Sequence, residues 1–212
     1  MGGYLGLYRW NLPDPNQALQ LSVGGGAFGY FDLASKTDAM QSVDFYANLP
    51  LDYSRGPWSA RFMIYHTSSH LGDDYLATQG ITTTKHAWDN LRFLISNNPM
   101  PFLRVYGGYT YAFRTLPEDL GRSALQTGFE CKSGWHDQGH LQFYWANDFQ
   151  SWQRVGWNPE FTSQAGVKFA KNPQQGRALT LFIEFETGDQ PQGQFYLQKQ
   201  TLWDIGLKFE LG

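Results

Sequence analysis

Apolar and polar residues alternate along most of this 212-residue chain. In the clearest run every second residue is apolar, at Trp58, Ala60, Phe62 and Ile64. A period of two is expected for a β-strand with one face against an apolar medium. About eleven such segments, each of roughly seven to seventeen residues, follow one another along the chain. No segment has the pattern of an amphipathic helix, so we predict a single all-β domain over residues 1–212.

The predicted strands are expected to form a closed antiparallel barrel, because closure removes the unpaired edges of a sheet. Two arrangements fit the alternation. A soluble, lipocalin-like barrel turns the apolar face inward, whereas a membrane barrel turns it toward lipid and encloses the polar face. That polar face carries both signs of charge, at positions that include Arg61, Arg104, Glu184 and Lys208.

Three features favour a transmembrane barrel in the bacterial outer membrane. Trp, Tyr and Phe concentrate toward the strand ends, as in interfacial aromatic girdles. Short connections such as SRGP and SNNPMP alternate with long ones such as SHLGDDYLATQGITTTK and TGDQPQGQFYLQK, as periplasmic turns alternate with external loops. The chain also ends on an amphipathic aromatic strand, WDIGLKFEL. We therefore expect the enclosed charges to pair with one another and to fill the interior, which excludes an open channel.

The number of strands follows from the same alternation of connections. The last strand should end in the periplasm. When the connections are counted back from there, the second segment rises from the periplasm and the first descends into it, which makes eleven segments in all. Bacterial barrels usually have an even number of strands. The sequence therefore predicts ten strands, if the first segment lies outside the wall, or twelve, if one further strand completes it.

Composition limits the classes of function. Charged residues are 17% of the chain, aromatic residues are 17%, and the formal net charge is -3, so nothing indicates a nucleic-acid partner. Cys131 is the single cysteine, which excludes an internal disulfide framework. The start, MGGYLGLYRW, lacks a basic region followed by an apolar run, and so no signal peptide is predicted there. Because the alternation requires a membrane, we expect the sequence to be a mature form.

Several stretches resemble domain-of-unknown-function family 1207, whose members look like bacterial outer-membrane barrels. The similar stretches are GLYRW, DFYANLPLDYSRGPWSARFMIYHTSSHLGDDYL, RVYGGYTY, GQFY and IGLKFEL, and HTSSHLGDD is the most specific of them. The resemblance spans nearly the whole chain. Members of the family have further sequence before the GLYRW segment, and this favours twelve strands. The family name itself implies no function.

The segment His66-Thr67-Ser68 also resembles the H-x-S motif of outer-membrane phospholipase A and of the lipid A deacylase. The resemblance implies a lipid-facing acyl-ester hydrolase in which Ser68 is the nucleophile and His66 the general base. Asp89 lies on the next strand and has the same parity as the apolar residues of that strand, so it is also expected to face lipid. We predict that its carboxylate orients the imidazole. Asn90 takes this role if a bulge shifts the parity. The hydrolases usually have Asn after the serine, where this chain has Ser69, so the oxyanion donor stays unassigned, with backbone N–H groups near Ser69 or Gly72 as candidates.

Alternatives to hydrolysis stay open at this stage. His66 and Ser68 also fit a structural role at the level of the lipid headgroups. A metal site is the second alternative, formed by His66, His70, Asp73 and Asp74. Within it Asp73 and Asp74 are hard oxygen ligands for Ca²⁺ together with lipid phosphates. A small porin lined by arginines is the third, and its candidates are Arg61, Arg92 and Arg104. The predicted partners are outer-membrane lipids, either phospholipid or lipopolysaccharide, and a homodimer and Ca²⁺ stay open as requirements for activity.

Overall fold

The computed structural model describes residues 2–35, 38–80, 85–136, 140–172, 176–191 and 193–211. They form one strongly curled antiparallel sheet whose eleven strands follow chain order. The strands are β1 Gly2–Trp10, β2 Gln17–Asp32, β3 Ala39–Arg55, β4 Trp58–Leu71, β5 His86–Met100, β6 Leu103–Leu116, β7 Ser123–Lys132, β8 Leu141–Trp152, β9 Pro159–Phe169, β10 Arg177–Asp189 and β11 Lys199–Leu211. One short helix, α1 Asp73–Gln79, lies between β4 and β5.

The first segment of the sequence belongs to the sheet. β1 pairs with β2 from Gly2↔Gly26 to Trp10↔Leu19, with one register shift between Gly6 and Tyr8. The predicted alternative of ten strands with this segment outside the wall is therefore wrong. Among the described residues β1 and β11 each pair with one neighbour, so the sheet has the shape of an open half-barrel.

The predicted alternation of faces is present in the strands. The apolar positions that we expected to face outward are between 39% and 61% exposed, at Phe62, Phe93, Val105, Leu181 and Leu207. Residues of the opposite parity on β4 are buried, among them Met63 and Tyr65. The sheet therefore has an apolar outer face and a polar inner face. No helix among the described residues is long and apolar enough to span a membrane.

Opposite charges pair across the strands on the inner face. Arg61 Nε donates to Asp52 Oδ1 at 2.6 Å, and Arg104 Nη1 donates to Glu130 Oε1 at 2.9 Å. Lys168 forms an ion pair with Glu210 across the β9–β11 region. These pairs agree with the prediction that inner charges would satisfy one another, and they occupy space inside the curl.

Inner-face aromatic rings lie over glycines of the adjacent strand. The paired positions are Tyr4↔Gly24, Tyr106↔Gly128, Tyr144↔Gly166 and Phe182↔Gly206. A Cβ added at any of these glycines would collide with the facing ring. Small residues on the inside of a sheet allow it to curl tightly, and the aromatic ring fills the space that the missing side chain leaves.

The two ends of the sheet differ. One end has tight hairpins, such as residues 56–57 between β3 and β4 and residues 101–102 between β5 and β6. The opposite end carries α1 and two 3₁₀ turns, Gln153–Val155 and Gly193–Phe195. This second end is the one that the sequence predicts to be external, and we refer to it as the loop end.

Candidate functional site

The strand register brings His66 and Asp89 together on the outer face. His66 of β4 is paired directly with Asp89 of β5. The imidazole Nδ1 lies 2.6 Å from Asp89 Oδ1, and 47% of the histidine side chain is exposed. On the other side of Asp89, Arg114 Nη1 approaches Oδ2 at 3.5 Å. A carboxylate in this position accepts a hydrogen bond from Nδ1–H and leaves Nε2 of the ring free to act as a base.

Ser68 lies two residues from His66 on the same face of β4 and is paired with Ala87. Its hydroxyl makes no hydrogen bond to His66 or to any other residue that the structure describes. The fold therefore joins two of the three predicted catalytic side chains. The third, Ser68, lies two residues from His66 on the same strand face but makes no hydrogen bond to its imidazole.

The neighbouring candidates lie elsewhere. A register shift does occur between Asp89 and Asn90 in the β5–β6 ladder, but Asp89 stays on the outer face and Asn90 is buried on the inner face. Asn90 is therefore not the residue that contacts His66. Ser69 is also buried on the inner face, where its hydroxyl donates to Asp44. The N–H of Gly72 donates to the carbonyl of Gln41 at 3.0 Å, so it is not free as an oxyanion donor.

The predicted metal ligands form no cluster in the described part of the chain. Asp73 and Asp74 are exposed in the first turn of α1, a short helix that the sequence pattern did not predict. His70 points outward and packs edge-on against Phe45, with ring centroids 5.9 Å apart. No group of three or more His, Cys, Asp or Glu side chains among the described residues is arranged to hold a metal ion.

A second site lies on the inner face at the loop end, where the segment between β10 and β11 turns back over the sheet. The N–H of Gly193 donates to Asp44 Oδ2 at 2.9 Å, and Gln194 Nε2 donates to the carbonyl of Ser69 at 2.8 Å. Phe195 is buried between the rings of Tyr30 and Tyr75. We call residues 190–191 and 193–198 the docked connection, because they lie across the inner face and contact strands far away in the sequence.

Beneath the docked connection is an inner cavity of about 190 Å³. Its walls are polar and aromatic and come from β3, β4, β5, β8, β9, one 3₁₀ turn and the docked connection. They are formed by Asp44, Tyr46, Tyr65, Thr67, Trp88, Asn90, Arg92, Gln150, Trp152, Arg154, Glu160, Pro191 and Gly193. The cavity and the His66–Asp89 pair are therefore on opposite faces of the same strands.

Arg154 dominates the charge of the inner cavity. Its guanidinium carbon lies 4.1 Å from the ring centroid of Trp152, 5.0 Å from that of Trp88 and 5.9 Å from that of Tyr196. Burial lowers the pKa of the guanidinium, and the negative charge of Glu160 opposes this effect. Among the described residues no carboxylate lies within 4.0 Å of the guanidinium, and none accepts a hydrogen bond from it.

Sequence reasoning missed this cavity. Arg154 lies in a connection whose sequence is typical of an external loop. The docked connection is rich in Gly, Gln and Pro, a composition that is typical of a solvated turn. The sequence pattern did place Asp44 and Arg92 on the inner face near the loop end. It did not indicate that Arg154 and Glu160 would lie beside them.

The curled sheet, the apolar outer face and the polar inner face define a barrel-like all-β protein with an exposed His–Asp pair and a polar cavity on its inner face. The chain belongs to DUF1207, a family of proteins of unknown function, which matches residues 1–211. The resemblance to this family noted in the sequence is thereby confirmed. Neither the curated proteins nor the solved structures contain a match to this chain.

Proposed function

We propose that this protein is a closed barrel in the bacterial outer membrane, whose lipid-facing site hydrolyses an acyl ester of a phospholipid or of lipopolysaccharide. The observation that carries the proposal is the 2.6 Å contact between His66 and Asp89 on the apolar outer face. Polar and ionisable groups are costly against lipid, and they are therefore expected to serve a function there. A closed wall has an even number of strands in most bacterial barrels, which favours twelve.

The proposed reaction uses the three residues in separate roles. Asp89 accepts a hydrogen bond from Nδ1–H of His66, which fixes the tautomer and stabilises the imidazolium that forms later. Nε2 takes the hydroxyl proton of Ser68 as its oxygen attacks the acyl carbonyl, and an acyl-enzyme forms when the alcohol leaves with that proton. Water then repeats the sequence and releases the fatty acid. The first step requires a hydrogen bond between the Ser68 hydroxyl and Nε2 of His66 to form.

The test is a comparison of variants in micelles with phospholipid and lipopolysaccharide as substrates. Ser68→Ala and His66→Ala should each lower turnover by several orders of magnitude, whereas Asp89→Asn should cost less because an amide still orients the ring. Ser163→Ala is the control, since it removes an outer-face hydroxyl that contacts Trp145, away from His66. Each assay should be run with Ca²⁺ and with chelator, and across the concentration range in which a homodimer would form.

Full activity in Ser68→Ala would overturn the hydrolase proposal. The remaining alternative would then be a structural or binding barrel without catalysis. A porin is disfavoured because the docked connection lies across the inner face and the arginines proposed to line a conduit are engaged. Arg61 and Arg104 are in ion pairs, and Arg92 donates to Thr110 at 2.9 Å and to Tyr65 at 3.1 Å.

A further inference from the structure

A β-bulge in β6 turns the side chain of Arg114 to the outer face. Asn90 of β5 pairs with Ala112 of β6. The residue before it, Asp89, pairs with Arg114, so Phe113 is an extra residue without a partner. Ala112 is buried on the inner face, and without the extra residue Arg114 would have the same parity. Bulges of this kind re-aim side chains and occur often next to functional sites.

Arg114 completes a polar row across three neighbouring strands of the outer face. The row consists of His66, Asp89 and Arg114, which are paired side by side on β4, β5 and β6. The next two outer rows, toward the end of the sheet with tight hairpins, are apolar and aromatic: Ile64, Leu91 and Tyr111, then Phe62, Phe93 and Tyr109. Successive rows on one face are roughly 7 Å apart. The polar row therefore borders a continuous apolar surface, as expected where lipid headgroups meet acyl chains.

The guanidinium of Arg114 is accessible and only weakly engaged. Its side chain is 67% exposed, and its contact with Asp89 is an approach of Nη1 to Oδ2 at 3.5 Å. The other oxygen of that carboxylate lies 2.6 Å from Nδ1 of His66. So exposed an ion pair contributes little, and the planar guanidinium has five N–H donors that match the geometry of a phosphate. Because a charge against lipid is costly, a bulge that exposes one indicates an anionic partner.

We propose that Arg114 binds the phosphate of a membrane lipid, whose acyl chains lie over the adjacent apolar rows. The guanidinium recognises the phosphate and the apolar rows recognise the acyl chains, so a free phosphate ion would use only half of the site. His66 is two strand spacings from Arg114, about 10 Å. A lipid held by its phosphate at Arg114 can therefore present an ester bond to His66 and Ser68.

This inference rests on the membrane location proposed above, and it names phosphate-bearing lipids as the substrates of the outer site. Binding of the phosphate requires no catalysis by Ser68. The two proposals can therefore fail separately.

The test measures lipid binding without turnover, with the full chain carrying Ser68→Ala in dodecyl maltoside micelles. Native mass spectrometry compares dioleoylphosphatidate with dioleoylglycerol, which has the same acyl chains and no phosphate. We expect phosphatidate to bind about tenfold or more tightly than dioleoylglycerol, because charge-assisted hydrogen bonds to a phosphate are strong. Inorganic phosphate at equal concentration should not displace it, since that ion makes no contact with the apolar rows. Displacement would indicate a free-anion site and overturn the assignment to a lipid.

Variants of Arg114 separate phosphate binding from a structural role. Arg114→Gln should remove the preference for phosphatidate, and Arg114→Lys should retain part of it, because lysine keeps the charge but lacks the planar fork. If Arg114 only balanced the charge of Asp89, Arg114→Gln would change the affinity for both lipids equally. Arg55→Gln is the matched control, because Arg55 is exposed at the opposite end of the outer face, paired with Trp58.

Mobility shifts on heating show that each variant is folded. An unchanged preference for phosphatidate in Arg114→Gln, or equal binding of the two lipids before Arg114 is changed, would overturn the proposal. The hydrolase proposal is judged by a different result, the activity of Ser68→Ala toward the same lipids.

Discussion

Gly193 donates its backbone N–H to the carboxylate of Asp44 across 149 positions of sequence, at a distance of 2.9 Å. Asp44 also accepts the hydroxyl hydrogen bond of Ser69 and is 4% exposed. One buried carboxylate therefore holds the connection between the last two strands against the wall formed by the third and fourth. The hydrogen bond therefore joins the third strand to the connection between the last two strands through the interior of the curled sheet.

Asp44→Ala should release the docked connection. The change leaves the N–H of Gly193 and the hydroxyl of Ser69 without their acceptor, at a cost of about 1–3 kcal/mol for each buried group left unpaired. We expect limited proteolysis within residues 190–198 to become at least tenfold faster while the sheet stays folded. Asp52→Ala is the control, because Asp52 pairs with Arg61 and is not in contact with the docked connection. Equal cleavage rates in Asp44→Ala and the unaltered protein would contradict this role for Asp44.

The sequence predicted the wall of this protein well because strand alternation is a local property. Parity alone placed His66 and Asp89 on the same outer face, and pairing of consecutive strands then brought them into contact. The contact of Asp44 with Gly193 depends on how far the whole sheet curls, which no local pattern encodes. The absence of a hydrogen bond between Ser68 and His66 is likewise invisible to parity, since residues two apart on a strand share a face in any rotamer.

The filled interior predicts poor conduction. Ion pairs such as Arg61–Asp52 and the docked connection occupy the space inside the curl, so ions meet charged, closely packed groups instead of a water column. We expect no large, steady conductance when the protein is inserted in planar bilayers. Replacement of residues 193–197 by a Gly-Ser sequence should produce frequent openings. A stable open channel in the unaltered protein would favour the porin alternative.

The orientation of the two faces can be tested with spin labels. Labels at Phe62, Phe93 and Leu181 should collide with lipid-soluble relaxation agents, because these side chains form the apolar outer face. Labels at Arg61 and Arg104 should be shielded from them. The labels require a Cys131→Ser background, since Cys131 is the single native cysteine. Shielding at the first set with access at the second would indicate a soluble barrel with an apolar interior.

Gly193→Ala tests whether the close approach of the docked connection is required. A Cβ at this position would lie 2.7 Å from the ring of Trp88 and 2.8 Å from Cβ of Ser69, closer than side-chain carbons approach one another. Trp88 is a rigid, buried ring and Ser69 is fixed by Asp44, so the docked connection itself has to move, at a cost of about 1–3 kcal/mol for overpacking.

We therefore expect Gly193→Ala to lengthen or break the hydrogen bond to Asp44 and to make the docked connection accessible to protease. Gly134→Ala is the matched control, because an added Cβ there meets nothing within 4 Å. Hydrogen exchange at the Gly193 amide gives the most direct readout, since this proton is protected only while Asp44 accepts it. If protection in Gly193→Ala equals that of the native protein, the connection tolerates a larger residue. Its place over Trp88 would then not depend on glycine.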